Sequence, residues 1–143
     1  MIWLIAEDEV DILNLLTMVV QVWGHKPLAF ESGQKVWDWL DKIESGTFVG
    51  ELPHFALMDI RMPGKKGNEV AHRMRTMPAF RQMPLALMTA YSLNDSERQQ
   101  IQSDDGVDAI INKPLPTFDE LLMTLNRIIA NKRINESGVS QSP

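Results

Sequence analysis

The stretch HFALMDIRMPGKKG, His54–Gly67, runs four apolar residues into an aspartate and then breaks at Met62-Pro63-Gly64. An apolar run of this length, closed by a turn signal, is a strand. Because it shows no polar alternation, both of its faces are buried, as in a parallel sheet covered by helices on each side. Asp59 therefore stands where a buried strand ends, and Lys65 and Lys66 follow it within the next turn.

Working outward, four more runs have the same character: Ile2–Ala6 (IWLIA), Lys26–Phe30 (KPLAF), Pro84–Met88 (PLALM) and Asp108–Asn112 (DAIIN), beside His54–Met58 (HFALM). Helical patterns lie between them. Ile12, Leu15, Leu16, Val19, Val20 and Trp23 form one apolar stripe, and Gly24 follows as a C-terminal cap. Phe118, Leu121, Leu122, Leu125, Ile128 and Ile129 repeat the pattern, with Thr117 and Glu120 as a capping box. Weaker helices are predicted at about Gly33–Ser45, Asn68–Met77 and Asn94–Ser103, the last capped by Asn94 and Glu97. Strand followed by helix, five times over, predicts a doubly wound α/β domain over residues 1–132. The remainder, 133–143, has lost apolar periodicity and is expected to be a disordered tail.

The 143 residues suit one domain, with 44% hydrophobic and 23% charged residues. A formal net charge of -5 argues against a general nucleic-acid or anionic-membrane binder, since both reward a basic face. There is no cysteine, which removes disulfides, thiolate metal sites and cysteine nucleophiles and suits a reducing cytoplasm. No segment approaches the ~20 apolar residues of a membrane span, and the opening MIWLIA lacks a basic leader and a cleavage pattern. His25, His54 and His72 are scattered without ligand spacing.

In an open parallel sheet, functional groups collect beyond the carboxyl ends of the strands. After the first strand comes Glu7-Asp8-Glu9; after the third, Asp59; after the fourth, Thr89; after the fifth, Lys113-Pro114. Carboxylates gathered at one rim repel one another unless a cation lies among them, and hard oxygen ligands without imidazole or thiolate favour Mg²⁺. A hydroxyl and an ammonium beside that site would hold phosphoryl oxygens. A central carboxylate could attack phosphorus and become an aspartyl phosphate. Taken singly, each residue has an ordinary explanation: an acidic helix start, a loop aspartate, a strand-end threonine, a solvated lysine. Their coincidence at one edge is what points to chemistry.

The segments LIAEDEVDIL, ALMDIRMPG, LMTAYS and INKPL resemble, in order, the signature segments of response-regulator receiver domains. These are the aspartate-phosphorylated modules of two-component signalling, with a CheY-like, flavodoxin-like (βα)₅ fold and strand order 2-1-3-4-5. The resemblance covers Ile2 to about Lys132. It implies that Asp59 is the phosphoacceptor and that Asp8, Glu7, Asp59 and the backbone carbonyl of Arg61 hold Mg²⁺. It further implies that Thr89 and Lys113 contact the phosphoryl group, that the Lys113-Pro114 bond is cis, and that Gly67 closes the acceptor loop. The implied function is that of a stand-alone phosphorelay receiver, charged by a sensor histidine kinase or phosphotransfer protein. Its affinity for a downstream protein would then change, through the face of the fourth helix, fifth strand and fifth helix, and it could form a homodimer. Its catalysis would be confined to its own phosphorylation and dephosphorylation, in the cytoplasm, without direct nucleic-acid or membrane contact.

Three rivals are weighed beside that reading. The chain could be the N-terminal receiver of a larger regulator or hybrid kinase. A haloacid-dehalogenase-like phosphohydrolase also uses an aspartate nucleophile, but wants a second aspartate two residues on, where Arg61 stands. A receiver-like binding module without phosphorylation would not need the Glu7, Asp8, Asp59, Thr89 and Lys113 set. The chain also departs from the receiver pattern. Ile110 occupies the position usually held by a switching Tyr or Phe, and Lys65-Lys66 stands where many receivers have Met-Asp. The lysines are read first as solvated loop charges, and alternatively as an attractor for the phosphodonor. Tyr91 and Arg61 are expected to border the site and govern water access. Trp23, Trp37 and Trp39 are read as packing residues that could instead expose a partner surface, and Met58, Met62 and Met88 as core filler.

Overall fold

The computed structural model describes the backbone of residues 1–141 and the side chains of residues 1–134. Five strands alternate with five helices: β1 (Ile2–Ala6), α1 (Val10–Val22), β2 (Lys26–Phe30), α2 (Gly33–Glu44), β3 (Phe55–Asp59), α3 (Gly67–Thr76), β4 (Leu85–Thr89), α4 (Asp95–Ser103), β5 (Ala109–Asn112) and α5 (Phe118–Gln141). A 3₁₀ turn, Pro78–Phe80, follows α3. The strands form one parallel sheet in the order β2-β1-β3-β4-β5, the doubly wound arrangement that the sequence predicts.

Alternate strand residues serve opposite faces. Leu4, Ala6, Ala56, Met58, Leu85 and Leu87 join Val36 and Leu40 of α2, Val70 and Met74 of α3, and Ile101 of α4. Trp3, Ile5, Phe55, Leu57, Ala86 and Met88 join Leu13 and Leu16 of α1 and Leu121 and Leu125 of α5. Every residue of β1, β3 and β4 is buried, which is why these strands read as unbroken apolar runs. The outer strands β2 and β5 are only partly covered. Pro27 is accommodated because β2 is an edge strand.

The helix ends follow their sequence signals. Ser32 and Asn94 accept from Lys35 and Glu97 N–H at 3.1 and 2.8 Å. Glu97 returns the bond to Asn94 N–H, completing the capping box. Thr117 Oγ1 accepts from Glu120 N–H at 3.3 Å, one of the two bonds of the capping box expected there, and Gly24, at φ +87°, ends α1. The domain boundary drawn at Lys132 is passed by α5, whose helical backbone continues to Gln141. The expected tail at 133–143 otherwise lies mostly outside the fully described residues. Among the described residues, no helix is long and apolar enough to cross a membrane.

Candidate phosphoryl-transfer site at the carboxyl edge of the sheet

Parallel pairing delivers the site. The register sets Asp59 beside Met88 and Thr89 beside Asn112, so β3 and β4 end one after the other along the same edge. The third and fourth strands each run one residue further than their apolar runs, making Asp59 and Thr89 the last ladder residues. Glu7, next after β1, is tied to the edge by its N–H, which donates to Phe30 C=O at 3.1 Å.

Lys113 joins the acidic residues. Its Nζ donates to Asp59 Oδ2 at 2.8 Å and to Glu7 Oε1 at 2.5 Å. The Lys113-Pro114 bond is cis. Glu7 is fully buried, Asp59 and Thr89 nearly so, while Asp8 is exposed. One carboxylate oxygen from each of Glu7, Asp8 and Asp59 falls within 4.8 Å of the others. Burial pushes the Glu7 carboxyl up to about 7, and the neighbouring Asp59 adds to the rise against the opposing bond from Lys113. Burial pulls the Lys113 ammonium down, but its bonds to Asp59 and Glu7 outweigh that and its pKa is raised.

Three hard oxygen donors at one mouth, one of them open to solvent, fit an octahedral cation that keeps several waters. Imidazole takes no part. His25 stacks on Trp3, His54 bonds Ile2 N–H, and His72 bonds Asp104 C=O and Asp105.

The acceptor loop, Ile60–Lys66, leaves the strand and returns on itself. Arg61 N–H donates to Asp59 Oδ1 at 3.2 Å, and Gly67 N–H donates to Ile60 C=O at 2.8 Å. A Cβ at Gly67 would meet the Asp59 carbonyl oxygen at 2.2 Å, so only glycine permits this closure. On the other side, Thr89 Oγ1 is engaged by its own loop, accepting from Tyr91 N–H at 3.0 Å.

A family model described as the response regulator receiver domain matches residues 3–126. The chain belongs to the response regulator receiver domain family. It is 29% identical over 140 residues to the transcriptional regulatory protein ZraR of Klebsiella oxytoca, and 29% identical over 119 residues to the chemotaxis protein CheV2 of Helicobacter pylori. It is 26% identical over 140 residues to the phosphate regulon transcriptional regulatory protein PhoB of Pseudomonas aeruginosa. These alignments cover 98%, 83% and 98% of this chain but 29%, 36% and 55% of those proteins, so it spans only part of their length. Among solved structures it is similar in fold to a CheY-like receiver domain protein from Methanospirillum hungatei JF-1. The TM-score is 0.74 at 22% identity, with 94% of this chain and 97% of that one covered. CheY4 of Vibrio cholerae gives a TM-score of 0.73 at 20% identity, over 89% and 97%.

This receiver domain thus brings Glu7, Asp8, Asp59 and Lys113 to one point, with Thr89 at the end of β4 and Arg61 on the loop after β3 beside them. Ile110 is half-buried and packs against the same cluster as Ile101 and Leu93. Trp39 is buried, and Trp23 lies edge-on to Trp3. Met58, Met62 and Met88 are buried.

Lys65 corrects the reading of a solvated pair. Its Nζ lies 4.4 Å from the centre of the Trp37 ring, whereas Lys66 is exposed at the start of α3. The residues of α2 that touch the acceptor loop were not among those the sequence singles out for the site. Their one local signal is Gly33 at a helix start, and its meaning depends on a contact 32 residues away, at Lys65.

Proposed function

We propose that this receiver domain accepts a phosphoryl group on Asp59 from the phosphohistidine of a sensor kinase or phosphotransfer protein. The observation that carries the reading is the double bond of Lys113 to Asp59 and Glu7 at the carboxyl edge. An Asp59 carboxylate oxygen attacks phosphorus, the P–N bond breaks with its electron pair going to the ring nitrogen, and the imidazole leaves neutral, carrying the proton already held on its other nitrogen. Lys113 then follows the charge onto a phosphoryl oxygen, and Thr89 leaves its own loop to donate a hydrogen bond to another. Glu7, Asp8 and Asp59, with the Arg61 carbonyl, would hold Mg²⁺. When bound, the ion supplies neutralisation of the transferring oxygens.

Hydrolysis of the aspartyl phosphate resets the domain, so its catalysis is confined to its own phosphorylation state. Output passes to a protein partner through the face of α4, β5 and α5. The alternative, output through a further domain on a longer chain, draws support from the larger size of ZraR and PhoB. The cysteine-free composition suits a cytoplasmic setting.

Incubation with Mg²⁺ and a small phosphodonor, followed by intact mass, tests the proposal. Wild type gains one phosphoryl group and Asp59→Asn gains none. Unmodified wild type would sink the reading in favour of a binding module, and rapid turnover of many phosphomonoesters would favour a hydrolase.

A further inference from the structure

The acceptor loop is held from outside the site. Gln34 N–H, in the first turn of α2, donates to Pro63 C=O at 3.3 Å. A Cβ at Gly33 would meet the Lys65 carbonyl oxygen at 1.7 Å, and one at Gly64, where φ is +80°, would meet Gln34 Cβ at 2.6 Å. The two segments therefore touch backbone to backbone, an approach that the glycines alone allow.

Trp37, one turn further along α2, completes the grip. Lys65 lies over its ring, and the Arg73 guanidinium lies 4.5 Å from the same ring centre. Arg73 is fixed in turn, donating to Trp37 C=O at 3.1 Å, Asp41 at 2.7 Å and Glu44 at 3.2 Å. Its charge is answered by two carboxylates. Lys65 has no ion-pair partner among the described residues, and the ring is the group that its ammonium meets.

We propose that Trp37 and Lys65 are positioning residues for the phosphoryl-transfer site: by clamping the loop apex to α2, they hold Arg61 and the Asp59 carboxylate in the arrangement that binds the cation. The inference rests on the proposed function. The mechanical path is short. The loop is closed at its base by Gly67 N–H on Ile60 C=O, so fixing Gly64 and Lys65 leaves Arg61 little freedom. Arg61 N–H bonds an Asp59 oxygen, which passes the restraint to the carboxylate itself. The clamp also gives Lys65 a role, which neither a solvated charge nor the phosphoryl chemistry supplies.

The test uses the whole chain without metal and with Mg²⁺ added. Lys65→Met, Trp37→Leu and the double variant are each expected to weaken Mg²⁺ binding by about two- to five-fold, the range a partly exposed cation–π contact supports. The double variant is expected to lose no more than Trp37→Leu alone, because that substitution already removes the Lys65 contact together with that of Arg73. Lys65→Arg restores wild-type affinity, since a guanidinium stacks as well on the ring. In the metal-free protein, amide exchange at Gln34, Lys66 and Gly67, whose N–H groups are hydrogen-bonded at the loop, quickens in Lys65→Met while the melting temperature falls by no more than about 4 °C.

Unchanged Mg²⁺ affinity and loop exchange in Lys65→Met would overturn the clamp. So would losses that add in the double variant, or a Lys65→Arg as poor as Lys65→Met. If wild type neither binds Mg²⁺ nor accepts phosphate, the proposed function fails. The exchange measurement then still decides whether the loop is clamped.

Discussion

Arg61 lies against the face of Tyr91, its guanidinium carbon 3.9 Å from the ring centre. The two residues belong to different loops, one after β3 and one after β4, and each adjoins a residue of the site. Arg61 N–H bonds Asp59, and Tyr91 N–H bonds Thr89 Oγ1. The stack therefore joins the loop after β3 to the loop after β4, beside Asp59 and Thr89. Tyr91 itself is half exposed.

Replacing both residues by alanine is expected to open the site to water and shorten the life of the aspartyl phosphate. A loss of ~0.7–1.4 kcal/mol of protection corresponds to a ~3–10-fold faster hydrolysis. Decay of the phosphorylated protein, followed by intact mass, measures it. An unchanged lifetime would remove the pair from any part in water access.

Glu7 sets a pH dependence whose sign is fixed by its environment. Its folded pKa, about 7, lies above the ordinary 4.5, mainly through burial and then through Asp59. The native metal-free protein therefore binds a proton that the unfolded chain has released. Stability is fully present below about pH 4.5 and declines as pH rises towards 7, for this group. On the proposed function Mg²⁺ takes the ionised form of Glu7, so its binding is expected to expel the proton and to tighten with rising pH. Between about pH 8 and about pH 6 the affinity is expected to fall by about tenfold, the fraction of Glu7 still ionised at the lower value. Calorimetric titrations in two buffers of different protonation enthalpy measure the released proton directly. Glu7→Gln should bind Mg²⁺ more weakly and lose most of the pH dependence.

The two arginines of α3 should differ in what they are worth. Arg75 donates to the carbonyls of Gly106, Phe80 and Met83 at 2.8, 2.7 and 2.7 Å, and to Asp108 at 3.1 Å. Asp108 also receives Leu85 N–H and Lys132. This network ties α3, β4, β5 and α5 together at the amino-terminal edge of the sheet. Arg75→Met takes the side-chain donor from the Gly106 and Met83 carbonyls, leaves Phe80 C=O with Met83 N–H alone, and unbalances a part-buried carboxylate, and is expected to cost ~2–4 kcal/mol in urea unfolding. Arg73→Met loses half-exposed partners, Asp41 and Glu44, and is expected to cost ~1 kcal/mol. Equal costs would show that the carbonyl network adds nothing. Both lie away from Asp59, so neither is expected to abolish its phosphorylation.

The site residues were legible because the sheet makes them so. Each lies just after an apolar run, and a parallel sheet sends those positions to one edge. Strand ends were less legible: the ladder pairs Asp59 with Met88 and Thr89 with Asn112, and register between strands leaves no mark in a single apolar run. The grip of α2 on the acceptor loop was not legible at all. Trp37 and Lys65 are ordinary residues in their local patterns, and only tertiary placement joins them. Asp108 was counted with the fifth strand on apolar pattern, but it precedes β5 and serves Arg75 instead.

The order of local stability bears on how this receiver could signal with Ile110 in place of an aromatic ring. Helix α4 contributes a single buried residue, Ile101, whereas α1 contributes four. It is otherwise held by polar contacts: Arg98 on Asn112 at 3.3 Å, and His72 on Asp104 C=O at 3.0 Å. Exposed bonds of this kind are worth little, so α4 should open at far lower free energy than α1. Amide exchange is expected to protect Leu16, Val19 and Val20 close to the global limit, and Gln99–Ser103 markedly less. Because Asn112 directly precedes Lys113, the proposed shift of Lys113 onto a phosphoryl group is expected to disturb the Arg98 contact and to raise exchange in α4 further. Protection of α4 equal to that of α1, in both states, would exclude it as the moving element and turn the search for the output to the α2 side.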